Sequence, residues 1–294
     1  MKYVLLKWLM IILTLVGWFI PWEKLSYSQG SGSSKDLAPA FERAVTIGAK
    51  NGTLSALLLK MTGILLKDQG YTVKELSFSD SGLLRSALEA GVIDLYWESA
   101  YQLMEEDRAR EFVWLPENKL AHKPVFLMKP SQASEWKIQT ISDLAEIIQQ
   151  NKIKIKFAAD KELILNKELV RNLSNGYGLV IPEKDLVLVE SHQIYQALNE
   201  NHMQVAIGWS SDSRIQGYDL LELADDRLLF PSVPITPVIQ QEIHDLVPLV
   251  SKIVDNLTLE KVLELQYEVD IQGKDVTKVA RKFLIESNLL LKRE

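Results

Sequence analysis

The chain has 294 residues, 47% of them hydrophobic and 24% charged, with no cysteine and a formal charge of −6. That length exceeds one small module and fits two compact lobes, each able to bury its own core. Without cysteine there are no disulfides, thiolate nucleophiles, iron–sulfur clusters, cysteine-based zinc sites or lipidated N-terminal cysteine. The acidic balance argues against nucleic acid, whose phosphates call for clustered Lys and Arg.

Trp8 to Ile20 is an almost unbroken apolar run, preceded by Lys2 and Lys7 and ended by Pro21. This is the layout of a secretory signal peptide. As a helix the run would span about 20 Å, short of a hydrocarbon core of roughly 30 Å. Ser26 and Ser28 flank Tyr27 in a small-x-small pattern, which places cleavage after Ser28; a retained N-terminal anchor with Lys7 and Lys24 at its flanks is the alternative. Removing residues 1–28 brings the formal charge to −8. Residues 29–42 open with Gln-Gly-Ser-Gly-Ser-Ser-Lys, a flexible linker by composition. An exported, acidic, cysteine-free chain points to a periplasmic or otherwise extracytoplasmic location in a bacterial envelope.

Val45 to Gly48 reads as a strand, followed by a helix capped by Thr53 with Leu54, Leu57, Leu58, Met61, Ile64 and Leu65 at the 3.6-residue period and Gly70 as its stop. Tyr71 to Phe78 alternates as a strand, Asp80 and Ser81 supply cap oxygens, Leu83 to Ala90 is a second helix, and Val92 to Tyr96 a third strand. This β-α-β-α-β opening predicts a parallel sheet with right-handed crossovers. Ser142 to Gln150 is a helix, Ile153 to Phe157 and Leu186 to Val189 are strands, Ser191 to Asn199 a helix and Val205 to Trp209 a strand. Helices follow at Val238 to Leu257, from a Thr258 cap to Gln266, and at Val276 to Leu284. Met61 and Tyr195 read as helix core, and Glu105-Glu106-Asp107 as a solvated face. Two α/β units with a helical return predict two lobes and a cleft, with ligand outside the carboxyl ends of the strands. Those ends are Gly48 to Thr53, Tyr96 to Tyr101 and Trp209 to Asp212.

Catalytic signatures lack their context. Gly208-Trp209-Ser210-Ser211-Asp212 misses the second glycine of a nucleophile elbow. Ser134-Glu135-Trp136-Lys137 is a short Ser-x-x-Lys match in a polar connector. His122, His192, His202 and His244 have no i, i+4 pairing for zinc and read as surface or loop residues. Glu98 and Asp212 could serve as acid and base, but no reaction is singled out. The reading is a non-enzyme without metal or cofactor.

Several segments carry a family resemblance. Val45 to Asn51 (VTIGAKN), Leu83 to Tyr96 (LLRSALEAGVIDLY), Lys156 to Glu162 (KFAADKE), Tyr177-Gly178-Leu179, Gln196 to Leu198, Trp209 to Ile215 (WSSDSRI), Asp219 to Pro231 (DLLELADDRLLFP), Leu265 to Asp275 (LQYEVDIQGKD) and Val279 to Leu284 (VARKFL) occur in order between about residues 43 and 286. Together they resemble the substrate-binding proteins of quaternary-amine (glycine betaine, choline, carnitine) ABC transporters. The resemblance implies an α/β, two-lobed clamshell of the type II periplasmic-binding-protein kind, each lobe a mostly parallel sheet flanked by helices. It implies a first lobe of residues 43–125 plus 232–294 and a second of 126–231, closing on ligand. It further implies a monomer that delivers a small cationic or zwitterionic solute to a permease and its ATPase. A cage of aromatic faces suits a cation with no hydrogen to donate.

The chain departs from that pattern where it would matter most. One cage tyrosine falls on Ser99, another on Val233, and a frequent arginine position falls on Asn166, with Arg171 the nearest substitute; Trp209 stands where tyrosine is frequent. The expected ligand-binding residues are Trp209, Trp97, Glu98, Ser99, Asn51, Thr53, Ser55, Asp80, Ser81, Ser211 and Asp212. Capping competes with ligand contact at Thr53, Asp80 and Ser81, turn-making at Ser211 and Asp212, and core packing at Trp97 and Trp209. Two other classes share the scaffold: a membrane-tethered sensory or regulatory domain with a different ligand, and an envelope enzyme.

Overall fold

The computed structural model describes residues 44–99, 107, 112–115, 119–150 and 153–291. The leader, the linker, Tyr101, Glu105 and Glu106 lie outside them. In the first part of the chain β1 (Ala44–Lys50), helix α1 (Thr53–Asp68), β2 (Thr72–Phe78), helix α2 (Ser81–Glu89) and β3 (Leu95–Glu98) follow one another. Then come β4 (Phe112–Trp114), β5 (Ala121–His122), β6 (Pro124–Met128), β7 (Phe157–Ala159), β8 (Leu186–Leu188), β9 (Val205–Trp209), β10 (Leu221–Glu222), β11 (Val233–Pro234) and β12 (Thr236–Gln240).

These strands form two five-stranded sheets, ordered β2-β1-β3-β12-β4 and β10-β6-β9-β7-β8, and a small β11-β5 ladder. The β-α-β-α-β opening is parallel as expected: β1 runs with β2 from Ala44↔Thr72 to Lys50↔Phe78, and with β3 at Ile47↔Leu95. The sheets are mixed, however. β12 is antiparallel to both β3 and β4. In the second sheet β7 is parallel to β8 and β9, while β6 is antiparallel to β9 and β10. The strands that return from the other sheet are the ones that reverse direction.

Alternation builds the cores. Phe126, Met128, Val205 and Ile207 pack into one buried cluster, and their neighbours Val125, Leu127 and Ala206 into another with Tyr195 and Leu198. In the first sheet Val45, Ile47 and Leu95 pack with Leu246 and Val250. The periodic positions Leu57, Leu58, Met61 and Leu65 of α1 meet Val262, Leu265, Ala280 and Phe283 from the helices Leu259–Asp270 and Val276–Glu286.

Three boundaries differ from the sequence expectation for physical reasons. Val92 to Asp94 still belong to the turn after α2, since Val92 N–H donates to Ala87 O and Asp94 N–H to Thr46 O. The third strand therefore starts at Leu95 and carries Trp97 and Glu98 into register with Pro237 and Thr236. Val238 and Ile239, expected in a helix, are the fully buried middle of β12; a short apolar run does not separate strand from helix by period, and the β-branched side chains suit the strand. β7 is Phe157–Ala159, not Ile153 to Phe157, because pairing with β8 and β9 on both sides outweighs the weak strand preference of its alanines. Thr53 is the first helical residue of α1 and makes no cap bond. Asp107, expected on a solvated face, is buried and accepts hydrogen bonds from Arg85 and Trp114.

Candidate ligand cleft

Three adjoining cavities of ≈ 140, 590 and 790 Å³ lie where the carboxyl ends of β1, β3 and β9 meet. Ser99 and Trp209 border all three. Asn51, Thr53, Ser55, Trp97, Glu98, Ser211 and Asp212 line the first, and Asp80 and Ser81 the third. All eleven residues singled out from the sequence are thus brought to one cleft, though many already hold structural partners there.

At the β1–α1 junction Thr53 Oγ1 donates to Asp270 Oδ1 at 2.5 Å, so its hydroxyl ties α1 to the end of the helix Leu259–Asp270. Asp80 is the N-cap of α2, its Oδ1 accepting from Leu83 N–H at 2.9 Å. Ser81 N–H donates to Glu162 Oε1 at 2.6 Å, and Lys50 Nζ donates to Ser81 Oγ and to Glu162 Oε2, both at 2.7 Å. Burial alone would lower the Lys50 pKa, but the carboxylates of Glu98 and Glu162 outweigh it and hold it above its ordinary value. Against its own burial, Glu162 is held below the usual carboxylate range by Lys50 and Ser81.

Of the β3 residues, Trp97 looks mostly inward: its indole N–H donates to Thr62 Oγ1 at 3.1 Å and its ring packs against both cores of the first sheet. Glu98 is 9% exposed. Its Oε1 accepts from Ser99 N–H at 2.8 Å, and burial pushes its pKa up against the attraction of Lys50.

Trp209 ends β9, its backbone N–H donating to the Tyr195 hydroxyl at 3.0 Å. One face of its indole is covered by the His122 imidazole, stacked at 4.1 Å between centroids and 12° between planes. No local signal foretells this pairing, because the ladders of β5 with β11 and of β6 with β9 create it across 87 residues of chain. Far from lying on the surface, His122 is 7% exposed; burial and then Lys50 lower its pKa to about 3, and its Nε2 has no hydrogen-bond partner. Its Nδ1 lies 3.1 Å from Ser211 Oγ. No carboxylate orients the ring from the other side among the described residues, so this Ser–His contact lacks the third group of a nucleophilic triad. Arg214, also not anticipated, grips Asp212 through Nε–Oδ1 at 2.8 Å and Nη2–Oδ2 at 2.6 Å, and donates from Nη1 to His192 O at 3.0 Å. Its guanidinium stands 5.0 Å from the Tyr195 ring centroid. Ser134 is exposed on the helix Pro130–Trp136 and takes no part in the cleft.

The second cavity is lined by Lys167, Arg171, Leu229, Phe230 and Val233. Asn166 also borders it, but its Oδ1 accepts from Glu168 and Leu169 N–H, both at 3.0 Å, so it serves as a helix cap. Among the described residues no helix is long and apolar enough to cross a membrane, and no cluster of His, Asp and Glu could hold a metal ion.

Residues 43–286 match the OpuAC family, the substrate binding domain of ABC-type glycine betaine transport system. A glycine-betaine-binding protein of Pseudomonas aeruginosa is 27% identical over 273 residues, covering 83% of this chain and 88% of that one. The carnitine transport binding protein OpuCC of Listeria monocytogenes is 27% identical over 180 residues, 60% of this chain and 56% of that one. By structure the chain is similar to lactococcal OpuAC in its closed-liganded conformation with glycine betaine (TM-score 0.64, 19% identity, 84% of this chain and 96% of that one). It is similar also to an ABC-transporter choline binding protein in complex with choline (TM-score 0.65, 16% identity, 83% and 89%). The two-lobed α/β architecture is shared with both, and the relatives are substrate-binding transport proteins, not enzymes. A family match that runs from the first described strand through the last helix, over a fold whose cleft lies between two mixed sheets, settles the kinship: the chain belongs to the substrate-binding family of the ABC-type glycine betaine transport system.

Proposed function

We propose that this protein binds a small cationic or zwitterionic solute of the glycine betaine or choline kind and works as a monomer, delivering the solute to an ABC permease and its ATPase. The observation that carries this reading is the cleft itself, where three cavities meet at Ser99 and Trp209 between two α/β sheets. Its two ends differ in charge. Four carboxylates, Glu98, Asp160, Glu162 and Asp212, face Lys50 and Arg214 in the first cavity, whereas Lys167 and Arg171 face Glu168 in the second, a difference of net sign suited to a solute with separated charges. Glycine betaine and carnitine, named for two of the relatives, are zwitterions that match that polarity, while choline, bound by a structural neighbour, would use only its acidic end.

In this reading residues 1–28 export the chain and 29–42 form the linker. Residues 43–125 with 232–294 make one lobe and 126–231 the other, a division supported by the sheets, although β6 begins at Pro124 and moves that edge by two residues. Isothermal titration against glycine betaine, choline, carnitine and proline betaine and their less methylated counterparts, with bulky amino acids and a polyamine as controls, tests the proposal. Binding of one of these cations or zwitterions is the expected result; a folded protein that binds none of them overturns it.

A further inference from the structure

We infer that the cleft prefers an ammonium that still carries N–H hydrogens to its fully methylated counterpart, with the Glu98 carboxylate accepting those hydrogens. The inference rests on the solute-binding reading above and narrows its ligand.

Two independent observations lead to it. The first concerns aromatic faces. A fully methylated ammonium has no hydrogen to donate and is held by ring faces around it. Among the described residues the cleft does not assemble such a cage. Trp209 has one face covered by His122. Trp97 is turned toward Thr62 and the two cores behind it. Tyr195, 2% exposed, has Arg214 over its ring and its hydroxyl on the Trp209 backbone.

The second concerns the carboxylates. Four of them, Glu98, Asp160, Glu162 and Asp212, line the first cavity together with two cations, Lys50 and Arg214. Lys50 holds Glu162 and Arg214 holds Asp212. Asp160 caps the helix Lys161–Leu165 through Leu163 N–H and takes the Ser191 hydroxyl on its other oxygen. Glu98 is left with a single donor, Ser99 N–H, on one of its oxygens. Lys50 attracts it through space but gives its hydrogen bonds to Ser81 and Glu162, so this buried carboxylate has a countercharge nearby and no charged donor of its own. An ammonium with N–H groups supplies both the charge and the hydrogen bond, and charge-assisted bonds of this kind are about twice as strong as neutral ones. A fully methylated ammonium supplies the charge alone and leaves the carboxylate lone pairs unmet.

The test is a methylation series at constant charge, titrated calorimetrically into the purified protein: ethanolamine through its mono- and dimethyl forms to choline, and glycine through sarcosine and dimethylglycine to glycine betaine. Affinity is expected to fall at least about tenfold from the unmethylated to the fully methylated member, the scale of one charge-assisted hydrogen bond. Glu98→Gln is expected to flatten the ranking, and Glu98→Asp to keep part of it. Equal or tighter binding of the fully methylated members overturns the inference while the solute-binding reading stands, as does an unchanged ranking in Glu98→Gln. A folded protein that binds no member of either series, nor any solute of the earlier panel, overturns the solute-binding reading and the inference with it.

Discussion

Lys50 Nζ and Glu162 Oε2 stand 2.7 Å apart although one ends β1 of the first sheet and the other begins the helix after β7 of the second. The Ser81 backbone N–H joins them from the start of α2. Three elements are thus fastened across the cleft by protein atoms alone. Both side chains are partly exposed, 29% and 39%, so the ion pair contributes on the order of 1 kcal/mol or less. Glu162→Gln is expected to shift the unliganded protein toward a wider conformation, read as a larger radius of gyration by small-angle scattering; an unchanged radius would mean that the pair does not govern closure.

Trp209→Ala should weaken binding of any solute found in the titrations by about 1–3 kcal/mol, from lost apolar contact and ring electrostatics. An unaltered affinity would assign Trp209 to packing alone, as the platform for His122.

His122 titrates in the fold at about 3 instead of its ordinary 6.5. The unfolded chain therefore binds a proton in that interval that the folded chain refuses, so stability from the neutral ring is complete above about pH 6.5 and drains as pH falls toward 3. Glu98, whose pKa is raised, has the opposite sign: its contribution is lost as pH rises through the folded value. Comparing His122→Phe with the parent isolates the imidazole. Between pH 6.5 and 5 the parent should lose about 2 kcal/mol more than the variant, measured by urea denaturation; parallel pH profiles would contradict a neutral, buried His122.

Gly208 sits in β9 beneath the Tyr195 ring, where an added Cβ would lie 2.7 Å from the hydroxyl oxygen and 2.9 Å from Cζ. Gly208→Ala should push Tyr195 off the Trp209 backbone and cost about 1–3 kcal/mol. Its melting temperature checks this, and a variant as stable as the parent would show that Tyr195 has room to give.

Asp107 is fully buried against Arg85, with a 2.6 Å bond from Nη1, and accepts the Trp114 indole N–H at 2.8 Å. Asp107→Ala strips Arg85 of its buried partner and leaves it only the more exposed Glu89, which accepts from Nε at 2.9 Å, so about 2–4 kcal/mol of stability should go with it. Denaturant unfolding reads this directly; a loss below 1 kcal/mol would mean water replaces the carboxylate.

The opening β-α-β-α-β run and β9 were legible because local signals agreed there: apolar positions in α1 at the helical period, Gly70 at φ +91 closing it, and an apolar run between turns for β9. β12 was not legible, since Val238 and Ile239 become strand through neighbours more than a hundred residues earlier. The cleft followed the same division. Residues at strand ends, such as Glu98 and Trp209, could be placed from the α/β pattern alone. His122 and Arg214 could not: a lone histidine in a two-residue ladder and an arginine two residues from its aspartate carry no periodic signal, and only the sheet ladders bring them to the wall.

The interleaved strand order bears on the birth of the molecule at the ribosome. Every ladder of the second sheet closes within residues 124–222, whereas the first sheet waits for Thr236–Gln240 to fill the place between β3 and β4. The segment made later can therefore complete its sheet sooner, while β3, with Trp97 and Glu98, keeps one bare edge until Thr236–Gln240 has been made. Long-range pairing of this kind is slow and leaves an open strand edge exposed in the meantime. The residues that shape the floor of the cleft are thus among the last to gain their final neighbours.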